Sequence, residues 1–112
     1  MIEILLFIIA YILMLPLTII NYFMVDNKKG YFLSTAMNID IFANREFRAT
    51  WNKLLITEQG YKFGTIGETI SSALGKNQRD NTLTKTGKIL CSILNFIDKD
   101  HCKNSINNNL WN

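Results

Sequence analysis

Histidine occurs once, proline once and cysteine twice among the 112 residues, and each scarcity closes off a class of protein. One imidazole and two thiols cannot complete a four-ligand zinc site, and the adjacency of His101 and Cys102, with Cys91 further back, lacks the Cys-x-x-Cys or His-x-x-x-His spacing such sites use. Two cysteines also exclude a disulfide-dense secreted scaffold. No Walker loop, dinucleotide-binding glycine fingerprint, zinc-protease helix or nucleophile elbow is present. Gly60, Gly64 and Gly67 lack the strand-turn-helix setting and the Lys-Ser/Thr ending that phosphate cradling requires. Neither a cofactor nor a metal is expected.

Charge is the next absence. Residues 4–20 carry no ionisable side chain except the weakly polar Tyr11, and the apolar character continues to Val25. Only Glu3 among the nine acidic residues, and none of the twelve basic ones, lies in residues 1–25, so the other 87 residues carry a formal +4. Averages of 48% hydrophobic and 19% charged residues therefore blend two unlike segments. A large multidomain enzyme, a disordered chain and a repeat array are all excluded.

At about 1.5 Å per residue, a helix needs about 20 mostly apolar residues to cross a hydrocarbon core of roughly 30 Å. The stretch from Ile2 to Val25 is long enough, and its apolar residues cover every helical face, which predicts a transmembrane helix over 1–25. Tyr22 falls where an amphipathic ring meets headgroups. Pro16 frees one carbonyl, and Thr18 is a candidate to satisfy it. A cleaved signal is disfavoured by the absence of a basic n-region, the excessive apolar length and the bulky residues near Phe23. Lys28 and Lys29 flank the span on its C-terminal side, with no basic residue before it. Short basic flanks stay cytoplasmic, so the expected topology in an inner (cytoplasmic) membrane is N-terminus out, domain in. Cys91 and Cys102 would then be free thiols, with Cys91 buried; in the opposite orientation they can pair.

The remainder predicts a mostly α domain over 40–103, joined by a linker at 26–39 and followed by a flexible Asn-rich tail at 104–112. Phe47, Trp51, Leu54 and Leu55 form the stripe of an amphipathic helix spanning Asp40 to Leu55, with Asn38 or Asp40 as its N-cap. Gly60–Gly64 reads as a short strand or extended loop. Another helix begins near Glu68, whose charge suits a first turn, and stops at Gly75; Lys76 to Asp80 follows as a solvated link. From Thr82 or Thr84 a helix runs to about Asp98, with Leu83, Ile89, Leu90, Ile93, Leu94 and Ile97 on its apolar face, and Gly87 weakens it.

Glu68, Ser71, Ser72, His101 and Cys102 supply the residue types of a nucleophile, base and carboxylate, the set a small hydrolase would use. Serines in a helix's opening turns more often cap or pack. The basic residues are spread singly, which argues against nucleic-acid binding despite Trp51, Tyr61 and Phe63.

The segment Gly67-Glu68-Thr69-Ile70-Ser71-Ser72-Ala73-Leu74-Gly75-Lys76 is followed about 20 residues later by Phe96-Ile97-Asp98-Lys99-Asp100-His101-Cys102-Lys103-Asn104-Ser105-Ile106. In this order the two motifs resemble a group of small phage and prophage proteins, over roughly residues 44–106. The resemblance implies a viral or prophage origin and no particular activity. Glu68, Thr69, Ser71, Ser72, His101 and Cys102 are accordingly the candidate functional motif. The expected protein is a single-pass membrane protein with a small binding domain. Its partners would be the bilayer and either another protein or a second copy, and a lysis or superinfection-exclusion protein is the alternative.

Overall fold

Uninterrupted apolar sequence makes the first helix. In the computed structural model, which describes residues 1–106, α1 runs Ile2–Met24 with none of its residues buried. It is long and apolar enough to cross a membrane, with a mean hydropathy of 2.5 in its best window. Thr18 Oγ1 donates to the Met14 carbonyl at 2.8 Å. That is not the carbonyl Pro16 leaves free, which lies four residues before the proline at Ile12. Beyond α1, the Lys28 ammonium donates to the Val25 carbonyl at 2.8 Å and lies over the Tyr22 ring. Tyr22 also stacks on Phe32, and Tyr31 donates to the Thr18 carbonyl. Aromatic rings and a lysine therefore cluster at the polar end of α1, the composition of a membrane-water boundary. These contacts belong to the compact unit Met1–Ser34, while Thr35–Asn112 forms a second unit.

Five more helices follow among the described residues: α2 (Tyr31–Glu46), α3 (Arg48–Leu54), α4 (Ile70–Arg79), α5 (Lys85–Ile97) and α6 (His101–Asn104). The stretch expected as a linker therefore carries the first turns of α2. The helix expected over Asp40–Leu55 is broken at Phe47, so Asn38 and Asp40 lie inside α2 instead of capping it. Of the proposed stripe only Leu55 is buried; Trp51 is half-buried, and Phe47 and Leu54 are exposed. The Asn-rich tail lies mostly outside the described residues.

The core of the second unit comprises Leu55, Ile56, Phe63, Ala73, Leu74, Leu83, Cys91 and Cys102. At its centre α4 is buried continuously from Ser71 to Asn77. The helix does not stop at Gly75, and Lys76 and Asn77 are interior rather than a solvated link. Gly75 is needed for close approach: a Cβ there would collide with the Cys102 carbonyl of α6. Gly87 serves α5 similarly against the Leu55 carbonyl. Thr84 is the N-cap of α5, its Oγ1 accepting from the Gly87 N–H at 3.2 Å. Among the described residues a single antiparallel bridge pairs Ile56 with Leu83.

Between α3 and α4 the chain is an extended loop, so the strand alternative for Gly60–Gly64 is not taken. Three asparagine side chains replace a ladder of backbone partners. Asn52 clamps Phe63, accepting from its N–H at 2.6 Å and donating to its carbonyl at 3.2 Å. Asn77 treats Tyr61 the same way, at 2.8 and 2.9 Å. Asn44 accepts from Gly64 N–H and donates to the carbonyls of Thr65 and Glu68. Buried backbone polar groups must find partners, and here distant side-chain amides supply them.

Candidate functional site

The candidate motif separates into two places on α4. Thr69 caps the helix, its Oγ1 accepting from Ser72 N–H at 3.0 Å. A turn of α-helix then sends successive serines to different faces. Ser72 points inward to Glu68, and Ser71 points outward to His101.

The inward group is a closed network. Glu68, fully buried, accepts from Tyr61 O–H at 2.8 Å on Oε1 and from Ser72 O–H at 2.7 Å on Oε2. Lys76 completes it at 2.7 Å from Oε2, its ammonium also lying over the Tyr61 ring. Burial works against the Lys76 charge, yet the bonds to Glu68 and Tyr61, together with the charges of those groups, outweigh it and raise the lysine pKa. Glu68 therefore does not act as an exposed first-turn charge; it is consumed internally.

The outward group faces a cavity of about 420 Å³ bordered by Met37, Asp40, Thr69, Ser71, His101 and Ser105, among others. His101 Nε2 lies 2.9 Å from Ser71 Oγ and its Nδ1 lies 3.0 Å from Asp98 Oδ2. Asp40, on α2, accepts from Ile70 N–H at 2.9 Å, and its other oxygen is 3.4 Å from Ser71 Oγ. Burial raises the Asp40 pKa despite the opposing hydrogen bonds from Ile70 and Ser71 and the nearby His101. Two proton arrangements fit this geometry. With one ring proton, on Nδ1, Asp98 orients the imidazole and Nε2 accepts from Ser71. With both nitrogens protonated, Nε2 donates to Ser71, whose own proton turns to Asp40.

The line Asp98–His101–Ser71 has the connectivity of a serine nucleophile with its base and orienting carboxylate. Acyl transfer also needs free donors where the oxyanion forms. The opening turn of α4 offers none: Ile70 and Ser71 N–H bond to Asp40, Ser72 N–H to Thr69 Oγ1, and Ala73 N–H to the Thr69 carbonyl. Cys102 is not available as a thiol. It forms a disulfide with Cys91, overturning the reading of Cys91 as a free buried thiol. The disulfide joins α6 to α5, and the Cys102 N–H donates to Asn95 Oδ1 at 3.1 Å, which fixes the neighbouring His101. Lys28 and Lys29 lie in the turn after α1, within the first unit.

Sequence reasoning named Asp40 only as a cap and Asp98 only as a helix end within the C-terminal motif, giving neither a place in the site, and it missed Tyr61 and Lys76 as partners of Glu68. Asp98 stands three residues before His101 across the turn that joins α5 to α6, where the His101 N–H also donates to the Asp98 carbonyl. Asp40 meets Ser71 across 31 positions and left no local signature. Comparison of the chain with family models, curated proteins and solved structures returns no match.

Proposed function

We propose that the chain is a single-pass membrane protein whose helical domain acts by binding, with the Ser71–His101 cavity as its ligand-facing site. The observation that carries the reading is α1: 23 residues, apolar on all sides, none of them buried. A soluble core helix would bury one face. Binding is favoured over hydrolysis because every opening-turn N–H of α4 is already engaged. The motif's resemblance to small phage and prophage proteins favours a viral origin.

The two lysines after α1 favour a cytoplasmic domain, whereas the Cys91–Cys102 disulfide fits an oxidising compartment. We take the covalent bond as the stronger guide and place the domain on the extracytoplasmic side. Alkaline washing of membranes tests the anchoring: the chain should remain in the pellet, and recovery in the supernatant would overturn it. An added protease that reaches the domain in spheroplasts supports the orientation, while protection until lysis reverses it.

The Asp98–His101–Ser71 geometry supports a second reading, a serine hydrolase. A fluorophosphonate probe separates the two. Binding predicts no adduct on Ser71, and an adduct lost in both Ser71→Ala and His101→Ala would establish the nucleophile.

A further inference from the structure

Helix α5 is apolar on two sides. Its inward side carries Leu90, Cys91 and Leu94 into the core, with Gly87 against the Leu55 carbonyl. Ile89 and Ile93, each 53% exposed, Phe96 at 91% and Ile97 at 76% project outward. Spacings of three, four and seven residues place Ile89, Ile93 and Phe96 along one side of the helix. Periodicity alone merged both sides into one face, but a helix of this width can bury only the side turned to the core.

The outward side is also basic. Lys85 and Lys88 share a shallow groove with Ile89, Ser92, Ile93 and Phe96. Across all of α5 there are two lysines and no acidic residue. Asp98, just beyond it, is turned to His101. Apolar side chains beside lysines that make no salt bridge among the described residues form the pattern of a helix lying in a bilayer interface, where the rings and branched chains enter the acyl boundary and the ammonium groups reach anionic headgroups.

We infer that the outward face of α5 docks on the surface of an anionic bilayer. The inference rests on the proposed anchoring by α1, which keeps the domain beside a membrane and makes weak interfacial contact effectively intramolecular. A second copy of the chain is the less favourable occupant. Apposing two α5 faces would gather four lysines and no helix-borne acid at one contact, and like charges there oppose association.

Photo-crosslinking of the full chain in vesicles tests this. Benzoylphenylalanine replaces Phe96, which is 91% exposed, and Lys62 on the loop serves as a control position. In vesicles containing phosphatidylglycerol, position 96 should give lipid adducts several-fold above position 62. The yield should fall in phosphatidylcholine alone and in the Lys85→Gln, Lys88→Gln variant, because each basic residue near an anionic surface contributes about fivefold to affinity. Adducts to a second chain would make α5 a protein interface, and absence of both adducts would leave it solvated; either result overturns the inference. Alkaline extraction of the same vesicles distinguishes the two failures. A chain that stays embedded without lipid adducts at position 96 sinks the docking alone, and one that is extracted sinks the anchoring.

Discussion

Glu68 and Lys76 meet at 2.7 Å in the interior of the helical domain, with side-chain exposures of 0% and 10%. Removing one partner leaves the other charge buried, which costs about 3–5 kcal/mol. Glu68→Gln should therefore lower the thermal midpoint sharply or prevent folding. Glu68→Gln with Lys76→Met should recover part of the loss, although the amide can then accept from only one of Tyr61 and Ser72 and must donate to the other. An equally unstable double variant, by circular dichroism melting, would show that the ion pair is not the source.

The same pair predicts a limit at high pH. The Lys76 pKa is raised on folding, so its contribution is fully present below the ordinary lysine value of 10.5 and declines as pH rises through the folded value. Urea midpoints should fall more steeply above about pH 10.5 in the wild type than in the double variant. Parallel curves would remove Lys76 as the cause.

Asp40 predicts the opposite direction in acid. Its pKa is raised by burial, so the folded state holds this proton more tightly than the unfolded chain. Stability from Asp40 rises as pH falls through the folded value and is complete below the ordinary carboxyl value of 3.8. Asp40→Asn, which can still accept from Ile70 N–H, should lack that rise. Asp40→Ala should also lose the acceptor for the Ile70 N–H, which costs about 1 kcal/mol at neutral pH. The check is a set of denaturant titrations between neutral and acid pH, in which identical slopes for wild type and Asp40→Asn would exclude the effect.

Gly75→Ala and Gly87→Ala should each destabilise, contrary to the helix propensity gain of up to about 1 kcal/mol that alanine brings. The added carbon meets a backbone carbonyl in both cases, of Cys102 and of Leu55, and overpacking of this kind costs about 1–3 kcal/mol. For Gly75→Ala the His101–Ser71 bond should also lengthen, visible as a changed imidazole resonance of the single histidine. A raised melting temperature in either variant would contradict the packing.

Reduction of the Cys91–Cys102 bond, or Cys91→Ala with Cys102→Ala, should cost about 2–4 kcal/mol. A domain this small has little reserve, so its melting transition should move clearly downward. Alkylation before reduction should label neither cysteine in the oxidised chain. Full labelling would place the domain in a reducing setting and favour the cytoplasmic orientation.

Unbroken apolar length made α1 legible and periodicity made α5 so, and Thr84 and Asp98 marked the ends of α5 through ordinary capping chemistry. Periodicity failed where polar residues are buried. The run Ser71 to Asn77 looks solvent-facing from Lys76 onward, and only tertiary partners on the loop at Tyr61 and Glu68 make it interior. Gly75 imitates a helix stop because a glycine needed for close packing and one needed for a turn are the same letter. Ser71 and His101 were both visible as reactive types, but their contact depends on where Gly75 lets α6 approach.

The loop before α4 owes its shape to Asn44, Asn52 and Asn77, none of which belongs to it. Mutational tolerance should therefore be inverted relative to ordinary expectation. Exposed loop positions such as Thr57, Glu58, Gln59, Lys62 and Ile66 make no such clamp and should accept most substitutions. The three helix-borne asparagines should accept almost none, since even aspartate keeps the acceptor but loses the donor each clamp uses.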